Sequence, residues 1–152
     1  MKKRFIASIT NILVLCVVIL TVSAYFIDQA QLIGFVILSL GILCLVSLIP
    51  FRVELKNIWP DIVFGVIDNG ILAIMAVFGG EIGGVLGAVI GGVVGNAVTD
   101  GIAGIFEGWI AEKAREAKIS DNRTMLGSAV GKMAGCMLSG GAVLIVATLF
   151  KL

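Results

Sequence analysis

Residues 61–111 read DIVFGVIDNGILAIMAVFGGEIGGVLGAVIGGVVGNAVTDGIAGIFEGWIA, a long apolar run that carries few charges and is studded with glycine. A membrane-spanning helix needs roughly 20 apolar residues. The run is therefore expected to hold two spans, 61–78 and 82–111, and the second is long enough to extend beyond the membrane. Between them Glu81 sits in a short turn, flanked by Gly79-Gly80 and Gly83-Gly84, and is expected to be solvated.

The rest of the chain has the same character. Of its 152 residues 59% are apolar and 14% charged, with a mean hydropathy of +1.14. Soluble domains are about 45–50% apolar and about 25% charged, so a soluble domain is excluded. Further apolar runs lie at 4–26, at 32–49 (closed by Pro50) and at 125–150. The expected fold is an all-α, polytopic bundle of five transmembrane helices packed through glycine stripes. Residues 1–50 form a two-helix scaffold, 51–60 an interfacial linker with a short helix at 53–60, and 61–152 a glycine-rich core. The first run resembles a signal peptide, with Lys2, Lys3 and Arg4 ahead of it and Val22-Ser23-Ala24 as a cleavage site. It exceeds the usual 7–15 apolar residues of such a segment, so it is read as a span. A lipoprotein reading at Cys16 fails because bulky Leu15 precedes it.

Charge sets the orientation. With five spans, Lys2, Lys3, Arg4, Arg52, Lys56, Lys113, Arg115, Lys118 and Arg123 share one side, while Lys151 alone is on the other and Lys132 lies within a span. Cytoplasmic loops carry the excess of Lys and Arg, which puts the N-terminus in the cytoplasm. Trp59 and Trp109 then both fall at the cytoplasmic interface, where amphipathic rings collect.

Several function classes drop out. The chain has no His, the commonest general base and metal ligand. It shows no Ser or Cys nucleophile beside a base and no aqueous domain, so no enzyme is expected. Cys16, Cys44 and Cys136 stand singly in apolar runs and read as small buried hydrophobes. A net charge of +1 implies no polyanion-binding surface, and one Tyr with two Trp makes no stacking platform for nucleic acid.

Two glycine stripes stand out. Gly83, Gly87, Gly91 and Gly95 recur every four residues, as do Gly127, Gly131 and Gly135. Small residues let membrane helices approach closely, within one protomer or along a homodimer contact.

The intramembrane charges point to function. Asp68, Asp100 and Glu107 fall inside spans with Asn69, Asn96 and Thr99, and Lys132 is the buried cation. A carboxylate at the bilayer centre costs at least about 2.5 kcal/mol, and such residues mark functional sites by default. By rise per residue Asp68 and Lys132 are each about 10 Å in and Asp100 about 16 Å in from the cytoplasmic side, so one layer is expected to hold all three. Asn96, Asp100 and Glu107 share a helix face and would line a polar path to that layer. Oxygen ligands without His or thiolate pairs suit hard cations, Na⁺, Ca²⁺ or Mg²⁺. Lys132 would pair with an acid or stand in for the cation. No covalent cofactor is expected. A short repeat relates residues 68–74, DNGILAI, to 99–105, TDGIAGI, and inverted repeats often frame transporter sites.

At these residues the chain resembles the transmembrane protein 65 family, known from mitochondrial inner-membrane members. The motifs are FGVIDN (64–69), GNAVTD (95–100), GIFEG (104–108) and LGSAVGK (126–132) running to Gly135-Cys136, in the family's order and spacing over about 62–148. The resemblance implies sodium-dependent calcium efflux, with Asp68, Asn69, Asn96, Asp100 and Lys132 at the family's intramembrane polar positions and Thr99 where Ser is usual. The first two spans have no counterpart in it, and no Arg/Ser-rich transit peptide is present. The resemblance therefore implies a prokaryotic relative in the plasma (inner) membrane.

Two functions compete. One is a secondary cation transporter, of the Na⁺/Ca²⁺-exchanger type, with Asp68, Asp100, Glu107, Asn69, Asn96 and Thr99 as ligands. The other is a non-transporting scaffold or regulator that assembles through its glycine stripes, with its acids paired to Lys132. A channel is disfavoured because the polar groups cluster toward one side.

Overall fold

In a computed structural model, residues 2–116 and 124–151 are described. Lys118 and Arg123, with the side chains of Lys2, Lys3, Arg4, Glu107 and Arg115, lie outside what it describes. Every regular element among the described residues is helical: α1 (Lys2–Phe26), α2 (Ala30–Val46), a 3-10 turn (Ile49–Phe51), α3 (Leu55–Glu116) and α4 (Met125–Phe150). Helices close all their backbone hydrogen bonds within one segment, the condition for crossing hydrocarbon. Four stretches are long and apolar enough to do so: Phe5–Phe26, Ala30–Phe51, Leu55–Ile105 and Met125–Phe150. The chain has the make-up of a multi-pass membrane protein.

Residues 61–111 lie within one element, α3, of 62 residues, broken once. The backbone leaves helical geometry at Gly83 (φ −130°, ψ 18°) and Gly84 (φ 57°, ψ −141°). Only glycine adopts the second conformation readily. The expected turn around Glu81 is therefore displaced: Gly79, Gly80 and Glu81 are helical, and the reversal falls three residues later. The two arms, 55–82 and 85–116, lie side by side. A methyl group built on Gly87 would overlap the Gly79 carbonyl, one on Gly91 would overlap the Met75 carbonyl, and one on Gly95 would sit 3.1 Å from the Leu72 Cα. Gly83 is the hinge rather than a member of that packed stripe, because its missing side chain faces nothing within 4 Å.

The proposed linker also differs. The 3-10 turn ends at Arg52, which adopts a left-handed conformation (φ 53°). Helix α3 then starts at Leu55 and runs through Pro60 without a break, so no separate interfacial helix forms at 53–60.

Helix α4 is the element on which both α2 and α3 pack, and α1 lies mainly against α2. Its N-terminus is capped by Thr124, whose hydroxyl accepts the Gly127 N–H at 3.0 Å. Against α2 the close approaches are Gly34 with Ile145, Leu38 with Gly141 and Gly41 with Leu138, an antiparallel register. Against the first arm of α3 they are Ile58 with Gly127, Asp61 with Gly131 and Gly65 with Gly135, a parallel one. The apolar core (Leu15, Cys44, Leu48, Ile58, Leu126, Val130 and Ala134) gathers where α2 ends and α3 and α4 begin.

Candidate functional site

The first arm of α3 and α4 approach to backbone contact. A methyl group on Gly65 would overlap the Lys132 carbonyl, and one on Gly135 would overlap that of Ile62. Along this contact runs a seam of polar side chains: Asp61, Asp68 and Asn69 from α3, Ser128, Lys132, Cys136 and Ser139 from α4. Steps of 4, 4 and 3 residues keep the α4 set on one helix face, and a step of 7 does the same for Asp61 and Asp68, with Asn69 on the adjoining face. The Ser128 hydroxyl donates to Asp61 Oδ1 at 2.6 Å, and Asp61 is only 2% exposed. Eight residues on, about 12 Å deeper, the Asn69 amide donates to Cys136 Sγ. Ser139 lies beside Gly70 and returns its hydroxyl to the Gly135 carbonyl at 3.0 Å.

Asp68 is the junction between this seam and the second arm. Its Oδ1 accepts the Thr99 hydroxyl at 2.5 Å, and its Oδ2 accepts a long bond, 3.4 Å, from Asn69. Thr99, 2% exposed, also has the Gly95 and Asn96 carbonyls within 3.1 and 3.0 Å. A hydroxyl has one hydrogen and two lone pairs. Three acceptors compete for that hydrogen, so the hydroxyl can give it to the Asp68 carboxylate or to a carbonyl of its own helix.

Asp100 occupies a different place. It follows Thr99 in sequence, so the two point to different sides of the helix: Thr99 is buried against the first arm and Asp100 is exposed. Asn96, four residues back, donates to Asp100 Oδ2 at 2.8 Å. Both line an open groove of about 620 Å³ with Leu72, Ala76, Ala88 and Gly92. The expected single layer thus divides into two polar groups, Asp68–Thr99–Asn69 inside and Asn96–Asp100 outside. Among the described residues no three Cys, Asp or Glu side chains converge as a metal-binding group. Glu107, expected on the same path, has its side chain outside the described residues. The Lys132 ammonium stands 4.2 Å from the centre of the Phe64 ring, a cation–π contact, and Cys136 is within electrostatic reach of both Lys132 and Asp68.

No protein-family model, curated protein or solved structure matches the chain.

Asp61, Ser128, Cys136 and Ser139 were not among the expected site residues. Asp61 reads in sequence as the edge of a span and Cys136 as a small hydrophobe. The signal that unites them is spacing, 61 to 68 on one helix and 128 to 132 to 136 on another, and it acquires meaning only once those two helices are known to be partners.

Proposed function

We propose that this chain is a secondary transporter of hard cations, of the Na⁺/Ca²⁺-exchanger type, in which Asp68 is the central ligand. The observation that carries the reading is the Thr99 hydroxyl, which donates to Asp68 but has two backbone carbonyls within 3.1 Å to take its proton. A cation entering beside Asp68 is met by a carboxylate, by a hydroxyl oxygen that turns without losing its hydrogen bond, and by the neighbouring Asn69 amide. Oxygen donors of this kind suit Na⁺ or Ca²⁺, with Mg²⁺ also accommodated. Polar side chains follow the α3–α4 seam inward from Asp61 and Ser128 to Asp68.

Five crossings belong to this proposal. The hinge at Gly83-Gly84 folds a 51-residue apolar stretch, about 76 Å as a straight helix, back on itself. That length suits two crossings of a hydrocarbon core about 30 Å thick. The register pairing Asp68 with Thr99 puts Trp59 at the level of residue 108, beside Trp109, and both rings are exposed, 59% and 58%. Two exposed Trp at one level fit an interfacial belt, and Arg52, Lys56 and Lys113 are at that same end. The cytoplasm is the side proposed for it, and a prokaryotic inner membrane the location. The resemblance to the transmembrane protein 65 family, carried by Asp68, Asn69, Asn96, Asp100 and Lys132, adds support for cation exchange.

A second reading is a membrane scaffold in which the polar groups only hold helices together. The Thr99–Asp68, Asn69–Cys136 and Ser128–Asp61 bonds favour it, since each joins two helical segments. Flux measurements decide between them. In proteoliposomes under an imposed Na⁺ gradient, the transporter reading expects cation flux that falls at least tenfold in Asp68→Asn while the variant still folds. Absence of flux in the wild type supports the scaffold, and equal flux in wild type and Asp68→Asn removes Asp68 as the central ligand.

A further inference from the structure

On the reading of Asp68 as a cation ligand, we infer that the same site also takes a thiophilic divalent cation, Cd²⁺ or Zn²⁺, with Cys136 Sγ as its sulfur ligand. The thiol is placed by the close approach of α3 and α4. Gly65 and Gly135 lie in backbone contact, and a methyl group on Gly65 would sit 2.9 Å from the Cys136 backbone nitrogen. Helices this close let side chains as short as Cys and Asn meet. Asn69, one turn on from Gly65, reaches the half-buried Cys136. The chain's other cysteines, Cys16 and Cys44, are on α1 and α2, helices without a single carboxylate. Cys136 is the one with Asp68 within electrostatic reach.

One nitrogen joins the sulfur to the carboxylate. The Asn69 amide nitrogen is 2.6 Å from Cys136 Sγ and 3.4 Å from Asp68 Oδ2. A carboxylate oxygen of α3 and a sulfur of α4 thus share one positive neighbour, the amide NH₂. The same amide carries an acceptor oxygen beside that nitrogen, so half a turn of the group presents a third donor atom to the same place. Cysteine sulfur and carboxylate oxygen are both Zn²⁺ ligands, and a neutral amide oxygen completes a set of three. Thiolate and carboxylate together carry the two negative charges that a divalent ion balances, which matters where an uncompensated charge is costly. The thiol proton leaves to water as the sulfur–metal bond forms. Na⁺ and Ca²⁺ take oxygen and leave the sulfur unused, whereas a soft ligand selects thiophilic metals.

The test reads the sulfur–metal bond itself. The purified full chain, reduced and in detergent, is titrated with Cd²⁺ while the ultraviolet charge-transfer band of a Cd²⁺–thiolate bond is followed. Circular dichroism and the unfolding midpoint check that each variant is folded. The wild type is expected to give a saturable band, and so is the double variant Cys16→Ala/Cys44→Ala. Cys136→Ser, a change of one atom, is expected to lose it. Asp68→Asn is expected to need at least tenfold more Cd²⁺ for half-saturation. A band that persists in Cys136→Ser overturns the inference, and so does one as tight in Asp68→Asn as in the wild type, which would be a thiol acting alone. Midpoints in Na⁺ and Ca²⁺ separate this outcome from that of the hard-cation reading. A band that needs both Cys136 and Asp68, in a protein indifferent to Na⁺ and Ca²⁺, upholds the inference and overturns that reading. A protein that responds to Na⁺ or Ca²⁺ through Asp68 but gives no band overturns the inference alone.

Discussion

The Thr99 hydroxyl donates to the Asp68 carboxylate at 2.5 Å across the two arms of one broken helix. The two residues lie 31 apart in sequence and meet because the arms pair about Gly83-Gly84. This bond joins a structural role, holding the arms in register, to the chemical one proposed for Asp68.

Thr99→Val keeps the side-chain shape and deletes the donor. Polar pairs between membrane helices average about 0.6 kcal/mol, and loss of one partner of a buried pair costs about 1–3 kcal/mol. The expected loss is about 1 kcal/mol in thermal or denaturant unfolding, with Thr99→Ser close to wild type. In flux assays the valine variant is expected to lose far more than stability explains, because an oxygen ligand goes with the donor. A valine variant with full flux would remove Thr99 from the site.

The hinge separates two adjacent glycines. Gly84, at φ 57° and ψ −141°, occupies a region that side chains rarely enter, whereas Gly83 has a negative φ of −130°. Neither meets another atom within 4 Å, so crowding plays no part. Gly84→Ala is expected to cost on the order of 1–3 kcal/mol of backbone strain, and Gly83→Ala much less. Paired unfolding midpoints in detergent check the contrast.

Within the second arm the glycines are not equivalent. A methyl group at Gly87 overlaps the Gly79 carbonyl, while one at Gly104 meets nothing within 4 Å. Gly87→Ala is expected to force the arms apart at a cost of about 1–3 kcal/mol or more. Gly104→Ala is expected to be neutral, or to stabilise by up to about 1 kcal/mol through helix propensity. Size-exclusion profiles and unfolding midpoints read both.

Outside the spans, Glu54 is hydrogen-bonded to the Lys56 ammonium at 2.9 Å, which holds its carboxyl below the usual glutamate range. A lowered folded-state pKa adds stability above the unfolded value and loses it as pH falls through the folded one. Glu54 is fully exposed, and such pairs are screened by solvent. The expected outcome is therefore a shift without a stability change: carboxyl NMR titration shows Glu54 moving up in Lys56→Gln, with the unfolding midpoint unchanged.

The helical architecture was legible because hydrocarbon imposes it: apolar runs of the right length become helices. Proline was a poorer guide to their ends, since α2 stops at Val46, ahead of Pro50 in the 3-10 turn, and α3 runs through Pro60. Where the hairpin turns was less so. Gly79-Gly80 and Gly83-Gly84 are alike in composition, and only backbone contact between Gly79 and Gly87 shows which pair must remain helical. The candidate site divided for a similar reason. Asp68, Asn69, Asn96, Thr99 and Asp100 are conspicuous as polar residues in apolar runs, but neighbours in a helix point about 100° apart. Thr99 or Asp100 can face the first arm, not both, and Gly91 and Gly95 at four-residue spacing from Thr99 decide in favour of the threonine. Asp61 and Ser128 needed the parallel pairing of α3 with α4, which depends on contacts 67 residues apart.

The central claim is that Asp68 holds a hard cation, and binding to the purified full chain tests it most directly. Unfolding midpoints of wild type and Asp68→Asn are measured in detergent while Ca²⁺, and separately Na⁺, is titrated at constant ionic strength. A ligand that binds only the folded state stabilises it by about 2.7 kcal/mol at a hundred times its Kd. The wild-type midpoint is expected to rise saturably with at least one of the two ions, and that of a folded Asp68→Asn protein not to rise. A flat wild-type response to both ions, or the same rise in both proteins, would contradict it.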